Sequence, residues 1–197
     1  KKCRDLGATL VFEDESGFCL VSPLRYTWSR RGRTPRTQTR IEHQKRLNAL
    51  GFLIVSPTGR RIRAFTRLAR RRVNGDVVLS ALRRLLREVS GPIVLVWDNA
   101  PFHTQRKVQN FIEQHGRMQV FNFPTYAPEL NPVEYMWANA NAKIANMAFR
   151  DMAQLDARLR RVLRGIAACL RLLRGFIDAA RTHCERNARK LVRRRPQ

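Results

Sequence analysis

Five consecutive apolar residues, Ile93 to Trp97, run directly into Asp98 near the middle of the chain. A half-buried strand alternates polar and apolar residues, so this run predicts a strand buried on both faces. Turn residues at 91–92 and 99–101 mark its two ends. Open α/β sheets bind ligands at the carboxyl ends of their strands, which makes Asp98 a candidate site residue. Capping of the following helix is the alternative role for this acid.

A second apolar run, at 8–15, also ends in acidic residues. Gly17 is predicted to turn the chain into an antiparallel partner strand at 18–23, and residues 26–28 are predicted to extend the sheet. A turn at 57–59 joins two more predicted strands, at 47–56 and 62–65, into a hairpin. The last strand is predicted at 118–123.

Helical periodicity accounts for most of the other residues. Apolar positions between 75 and 90 repeat every 3.6 residues, with arginines on the opposite side. Asn131 and Pro132 are typical of the start of a helix, here expected to continue to 147. Further helices are predicted at 104–115 and 151–195, the latter with breaks expected at Gly165 and Gly175. The order of elements predicts one α/β domain over 1–197, a mixed sheet flanked by helices, with a basic helical extension at about 151–197.

Charge adds a candidate partner. The 197 residues include 39 lysines and arginines against 15 aspartates and glutamates, a formal net charge of +24. Such a charge attracts polyanions and predicts nucleic-acid binding. Mutational bias is an alternative explanation for the 33 arginines, but it does not explain the shortage of acids. No apolar run has the length of a membrane span and no signal peptide opens the chain, and four separate cysteines favour a reduced, cytoplasmic location.

Because acids are scarce, acids that converge are informative. Asp14 and Asp98 each follow an apolar run, and Glu134 lies in the first turn of a predicted helix. If the two strands are parallel neighbours, both aspartates emerge at the same sheet edge, where Glu134 can face them. Clustered carboxylates are ligands for Mg²⁺ or Mn²⁺, and two such ions can serve phosphoryl transfer.

Each of these acids also has a structural interpretation. Glu134 stands three residues after Asn131, the spacing of a capping box. Asp14 lies between Glu13 and Glu15, and strand alternation places it on the opposite face from both. Spacing alone does not decide which of these faces meets Asp98.

Four stretches together resemble the catalytic domain of DDE (Asp-Asp-Glu) transposases, and most closely the bacterial insertion-sequence branch of the mariner-like superfamily. They are Phe-Glu-Asp-Glu-Ser-Gly-Phe at 12–18, Thr-Trp-Ser-Arg-Arg-Gly at 27–32, Trp-Asp-Asn-Ala-Pro-Phe-His at 97–103 and Tyr-Ala-Pro-Glu-Leu-Asn-Pro-Val-Glu-Tyr-Met-Trp at 126–137. The resemblance implies a ribonuclease H-like fold with Asp14, Asp98 and Glu134 as ligands of a two-metal Mg²⁺ or Mn²⁺ site. Thirty-five residues separate Asp98 from Glu134, which is close to the spacing of that branch.

The same resemblance implies the reaction and the partners. Water cuts DNA at the ends of a mobile element, and the freed 3′-hydroxyl then attacks a target duplex. The expected partners are element-end and target DNA and further copies of the chain, as a homodimer or higher oligomer on DNA in the bacterial cytoplasm. Full-length relatives carry helix-turn-helix modules, which this sequence lacks, so a catalytic half or a truncated copy is expected.

Further residues are candidates for supporting roles. His103, Asn99 and Glu15 are expected beside the metal ligands, although His103 is equally typical of a helix start and Asn99 of a turn. Tyr126 and Trp137 are expected in the core. The predicted DNA-binding residues belong to a basic loop that can also be merely solvated: Trp28, Arg30, Arg31, Arg33 and Arg36.

Two other functions remain open on the sequence. One is a catalytically inactive remnant that binds DNA by charge alone. The other is a ribonuclease H-like nuclease without strand transfer. An intact set of three acids favours an enzyme over a remnant, and nothing in the sequence separates a transposase from a nuclease.

Overall fold

A computed structural model of the chain describes residues 2–36 and 45–193. In these residues one five-stranded sheet is flanked by helices. The strands are β1 (Thr9–Cys19), β2 (Arg46–Val55), β3 (Ile62–Ala69), β4 (Ile93–Trp97) and β5 (Met118–Asn122). The helices are α1 (Lys2–Asp5), α2 (Gly75–Glu88), α3 (Arg106–Glu113), α4 (Pro132–Ile144), α5 (Met152–Ala167) and α6 (Leu170–Arg193).

The sheet is mixed, as the order of elements predicts. The strands lie side by side in the order β3-β2-β1-β4-β5. β2 is antiparallel to both of its neighbours, β1 and β3, whereas β1, β4 and β5 run parallel to one another. The two central apolar runs are therefore parallel neighbours, which is the condition that the convergence of Asp14 and Asp98 required.

Both faces of the sheet are covered, which explains the unbroken apolar run of β4. Helices α4, α5 and α6 pack on one face, around a core that includes Phe18, Met136, Trp137 and Leu159. Helix α2 covers the other face, around Val11, Phe52, Leu82 and Trp97, with Val108 of α3. Burial of these side chains removes apolar surface from water and is the main force that holds the layers together.

β1 is longer than its parallel neighbour. Its pairing with β4 ends at Phe12 and Val96, yet β1 continues to Cys19 and remains paired with β2. Asp14 therefore lies inside the strand, not at its end as the sequence suggested. It stands just past the point where β4 stops, so the loop after β4 opens beside it.

The hairpin predicted at Gly17 is wrong. Gly17 continues β1 and pairs with Asn48 of β2, which is the real antiparallel partner of this strand. A Cβ at Gly17 would overlap the guanidinium of Arg46, so the glycine provides room for a side chain rather than a turn. Residues 26–28 do not extend the sheet either: they form no strand, and Trp28 is 99% exposed.

The predicted helix at 151–195 is divided in two, but at neither glycine. α5 ends at Ala167, α6 begins at Leu170, and Gly165 and Gly175 lie within the helices. A lone glycine costs a helix only about 1 kcal/mol, which the apolar stripe that each helix buries outweighs. The last four residues of the predicted basic extension, 194–197, lie outside the described residues.

Two expectations from composition can be compared with the fold. Within 2–36 and 45–193, no helix is both long and apolar enough to cross a membrane. The four cysteines, Cys3, Cys19, Cys169 and Cys184, are free thiols. The division into one domain with a basic extension stays a prediction.

Candidate active site

The three acids singled out in the sequence line one cavity. Asp14 reaches it from β1, Asp98 from the end of β4 and Glu134 from the first turn of α4. The cavity has a volume of about 330 Å³ and lies at the carboxyl edge of the two central parallel strands. The structure thus brings together side chains that are 84 and 36 positions apart in the sequence.

The tightest group differs from the predicted one. Asp14, Glu15 and Asp98 each offer a carboxylate oxygen within 4.8 Å of the other two. Glu134 is not in that group, although its charge acts on Asp14 and it lines the same cavity. Glu15, expected only beside the ligands, is therefore as close to Asp14 and Asp98 as a direct ligand would be.

A buried tryptophan fixes Asp14. The indole Nε1 of Trp137 donates a hydrogen bond of 3.0 Å to the Asp14 Oδ2 atom. Trp137 lies in the core, as predicted, and can reach Asp14 because the β2 residue paired with Asp14 is Gly51. A Cβ at Gly51 would lie only 2.6 Å from the Trp137 ring.

The turn after β4 fixes Asp98. Its Oδ1 atom accepts a hydrogen bond of 2.9 Å from the backbone N–H of Ala100 and lies 3.1 Å from Nδ1 of His103. The same ring nitrogen lies 3.2 Å from the Asp98 backbone oxygen. His103 therefore contacts both the backbone and the carboxylate of Asp98, although the following helix begins only at Arg106. Its ring is held by stacking on Trp97, with centroids 4.0 Å apart.

Asn131 sets the position of Glu134. As predicted, Asn131 is the N-cap of α4, and its side-chain oxygen accepts from the backbone N–H of Val133 at 3.1 Å. The Asn131 side chain also donates to the backbone oxygen of Glu13, which ties the helix to β1. The backbone N–H of Asn131 donates to Pro128 and not to Glu134. The capping-box interpretation is thus wrong, and the Glu134 carboxylate faces the cavity.

The acids crowd one another electrostatically. Burial and the charge of Glu134 raise the pKa of Asp14 to about 9. Burial and the charges of Glu13 and Asp98 raise the pKa of Glu15 to about 8, and burial likewise raises that of Glu134. Only Asp98 keeps a pKa below its ordinary value, because its contact with His103 favours the ionised form.

This crowding fits a divalent cation. Carboxylates that raise one another's pKa lack a compensating positive charge, and Mg²⁺ or Mn²⁺ supplies it with the oxygen ligands these ions prefer. The buried Glu15 Oε2 atom has no hydrogen-bond partner among the described residues. The donor set therefore suits the metal that the sequence implied.

A basic cleft adjoins the acids. It has a volume of about 1200 Å³ and is lined by Glu15 and Glu134 at the acidic site and by Lys45, Arg46, Arg70 and Arg72 elsewhere. Sequence reasoning missed these cations and selected the 29–36 loop instead. The run of three arginines directly after β3, at 70–72, was the available signal.

The other predicted residues are exposed on the surface. Trp28, Arg30, Arg31, Arg33 and Arg36 are all exposed, and none of them lines the acidic cavity or the basic cleft. Asn99 lines the cavity as an exposed turn residue. Tyr126 is not in the core as expected, since it is 97% exposed with a φ of 59° in the loop beside the cavity.

The raised pKa values predict that the protein is less stable at high pH when EDTA removes divalent metal. Asp14 and Glu15 hold protons in the folded state up to about pH 9 and 8, whereas the unfolded chain releases them near pH 4. Folding therefore binds protons across this window, and stability falls as the pH rises through it. We expect the melting temperature to fall by roughly 3 °C per pH unit for each group between pH 6 and 8.

A thermal-melt series in EDTA checks this prediction. The double variant Asp14→Asn/Glu15→Gln should have a flatter profile, because it lacks both titrating groups. A wild-type melting temperature that is constant or rises from pH 6 to 8 would contradict the assignment.

Fold and family are defined by comparison with known proteins. The sheet and its helices form a ribonuclease H-like fold. The chain is similar to the Mos1 mariner transposase in a paired-end complex with Mn, with a TM-score of 0.63 and 19% identity. The match covers 90% of this chain and 53% of that one. The crystallised catalytic domain of Mos1 gives a TM-score of 0.57 at 18% identity, over 90% of this chain and 78% of that one. Residues 9–156 match the family model of the DDE superfamily endonuclease, and the chain belongs to that family.

Curated relatives agree with this assignment. The Tcb2 transposase of Caenorhabditis briggsae is 23% identical over 184 residues, which cover 90% of this chain and 66% of that protein. The Tcb1 transposase of the same nematode is 34% identical over 64 residues, or 30% of this chain and 23% of that protein. The chain thus spans less than two thirds of the length of either relative. The predicted membership of the DDE superfamily is confirmed, whereas the bacterial insertion-sequence branch is not shown by these relatives.

Proposed function

We propose that this chain is the catalytic domain of a DNA transposase that cleaves element ends by hydrolysis and joins 3′-hydroxyl ends to target DNA. The observation that carries the proposal is the meeting of Asp14, Asp98 and Glu134 in one cavity beside a basic cleft. Similarity to the Mos1 mariner transposase, whose paired-end complex was solved with Mn and with Mg, supports the same assignment.

The residues of the chain would divide the work by position. Asp14, Asp98 and Glu134 would hold two Mg²⁺ or Mn²⁺ ions, with Glu15 close enough to share the task. Bound metal supplies a reactive water at neutral pH and neutralises charge on the phosphate. Trp137 and His103 keep two of the carboxylates in fixed orientations, so little reorganisation is needed during the reaction.

The basic cleft provides a path for the DNA backbone. Arg46, Arg70 and Arg72 line it together with Glu15 and Glu134, so a strand held by its phosphates would pass directly over the acids. Arginine suits this role because its guanidinium contacts phosphate oxygens in a bidentate manner. The exposed loop with Trp28 would contact DNA outside the cleft.

A plasmid assay tests the proposal. The purified chain should nick supercoiled DNA with Mg²⁺ or Mn²⁺ and not with EDTA, and should join a labelled 3′-hydroxyl end to a second duplex. Nicking without joining would identify a nuclease that lacks strand transfer. Binding without nicking would identify an inactive remnant.

Two finer features belong to the same proposal. Placement in the bacterial insertion-sequence branch is supported by the stretches at 97–103 and 126–137, while the curated relatives found are from a nematode. Assembly as a dimer or higher oligomer on DNA is supported by the paired-end complex of Mos1. Gel filtration with and without a short duplex would test assembly. Location in the bacterial cytoplasm stays a prediction.

Removal of two cleft arginines should weaken DNA binding in a salt-dependent way. The double variant Arg70→Ala/Arg72→Ala loses two phosphate contacts, so the slope of log K against log salt should fall by about 1.8 in magnitude. Fluorescence anisotropy with a labelled duplex at several salt concentrations measures this slope.

The matched control is Arg161→Ala/Arg171→Ala, which removes the same charge from exposed positions on α5 and α6. It should change the slope by less than half as much. Equal effects of the two double variants would show that the cleft has no special role in binding.

A further inference from the structure

A second group of titratable side chains lies on the other face of β1. Strand residues alternate, so Glu13 and Glu15 share a face with Val11 and not with Asp14. His103 lies on that face, stacked on Trp97. One ligand atom from each of Glu13, Glu15 and His103 lies within 4.8 Å of the other two.

These side chains are buried with unsatisfied polar atoms. Glu13 is 0% exposed and His103 is 2% exposed. Oε1 of Glu13 and Oε2 of Glu15 have no hydrogen-bond partner among the described residues, and Oε2 of Glu13 has only a contact of 3.2 Å with Nε2 of His103. Buried polar atoms are nearly always paired, because an unpaired one keeps its full desolvation cost. Two unpaired oxygens beside this single contact indicate an absent partner.

The tautomer of His103 indicates a positively charged partner. Nδ1 faces two oxygen acceptors, both on Asp98, and therefore carries the hydrogen. Nε2 lies 3.2 Å from Oε2 of Glu13, where it donates to that oxygen if the ring is protonated and is a metal ligand if the ring is neutral. A single proton between these two atoms would still leave the other oxygen of Glu13 and that of Glu15 unsatisfied. A divalent cation satisfies all of them together.

We propose that Glu13, Glu15 and His103 bind a divalent transition metal at a site separate from that of Asp14, Asp98 and Glu134. A histidine whose Nδ1–H is held by a carboxylate while Nε2 faces a cluster of acids is the usual arrangement of a metal-ligating histidine. The separation of 3.2 Å is that of adjacent ligands around an ion with bonds of about 2.1 Å. One imidazole with two carboxylates favours Mn²⁺ or Zn²⁺ over Mg²⁺.

The site would stabilise the arrangement of the cavity without touching DNA. The ion fixes the His103 ring, and His103 in turn contacts Asp98. Glu15 belongs to both acid groups, so the two sites are adjacent. The proposal goes beyond the transposase assignment, because a buried metal on this face is compatible with an active or an inactive chain.

Electron spin echo measurements on the Mn²⁺-loaded chain test the proposal. Imidazole coordinated to Mn²⁺ gives a ¹⁴N modulation, whereas a site of carboxylates alone gives none. We expect this modulation in the wild type, in Glu134→Gln and in the control His115→Asn, whose histidine lies at the end of α3 and contacts the backbone oxygen of Phe111. We expect Glu13→Gln to lose this modulation. In equilibrium dialysis it should bind one Mn²⁺ per chain fewer than the wild type.

Two results would overturn the proposal. One is a wild-type spectrum without coordinated nitrogen, which needs no variant and holds even if Glu13→Gln does not fold. The other is a nitrogen signal that persists unchanged in folded Glu13→Gln. Neither result depends on nicking, so the transposase assignment can fail while this site is confirmed, and the reverse.

Discussion

Replacement of Asp98 by asparagine should abolish metal-dependent nicking and leave DNA binding intact. Asp98 is the most readily ionised of the cavity acids, since its contact with His103 lowers its pKa while the pKa values of Asp14, Glu15 and Glu134 are raised. Asparagine keeps the shape and the acceptor for Ala100 but loses the charge that holds a cation. We expect the nicking rate to fall at least about 10³-fold, or about 4 kcal/mol in transition-state stabilisation.

Plasmid nicking in Mn²⁺ and fluorescence anisotropy with a duplex measure the two properties on the same preparation. The matched control is Asp178→Asn, which removes an exposed acid from α6, where Asp178 pairs with Arg181. It should nick at the wild-type rate. Unaltered nicking by Asp98→Asn would exclude Asp98 as a metal ligand and with it the proposed mechanism.

Replacement of Gly51 by valine should destabilise the fold and disturb Asp14 together. A Cβ at this position would lie 2.5 Å from Cε of Met136 and 2.6 Å from the Trp137 ring. The methionine end can move, but the buried indole is packed in the core and bonded to Asp14. We expect a loss of about 3 kcal/mol and a fall in melting temperature of roughly 6–12 °C.

Urea unfolding and thermal melts measure this loss. Gly116→Val is the control, because nothing lies within 4 Å of a Cβ at Gly116 and its backbone is not in the left-handed region. It should change the melting temperature by only a few degrees. A Gly51→Val protein as stable as the wild type would show that Trp137 has room to move and does not hold Asp14 tightly.

The convergence of Asp14 and Asp98 could be predicted because it depends on local patterns. An apolar run that ends in an acid predicts an acid near the ligand edge, and two such parallel strands bring their acids together, even though β1 continues past Asp14 to Cys19. The two apolar runs are also easy to recognise, because a strand covered on both faces consists of consecutive apolar residues. Glu134 could be placed in the first turn of a helix from Asn131 and Pro132, which act through neighbouring backbone groups.

What failed in the prediction depends on partners far away in the sequence. Gly17 has the composition of a turn, but pairing with β2 and the side chain of Arg46 keep it in a strand. Glu13 was passed over because its partner, His103, is 90 positions away. Tyr126 was expected in the core on residue type alone, and its position is set by the loop between β5 and α4.

The tie between Asn131 and the backbone of Glu13 has a consequence for synthesis. The ribosome synthesises β1 and β4 before α4, so a nascent chain contains Asp14 and Asp98 before Glu134 has been added. The cavity closes only when the polypeptide has emerged past α4 and this helix has docked across the first strand. Translation products that stop short of that helix carry the basic surface without the complete acidic pocket.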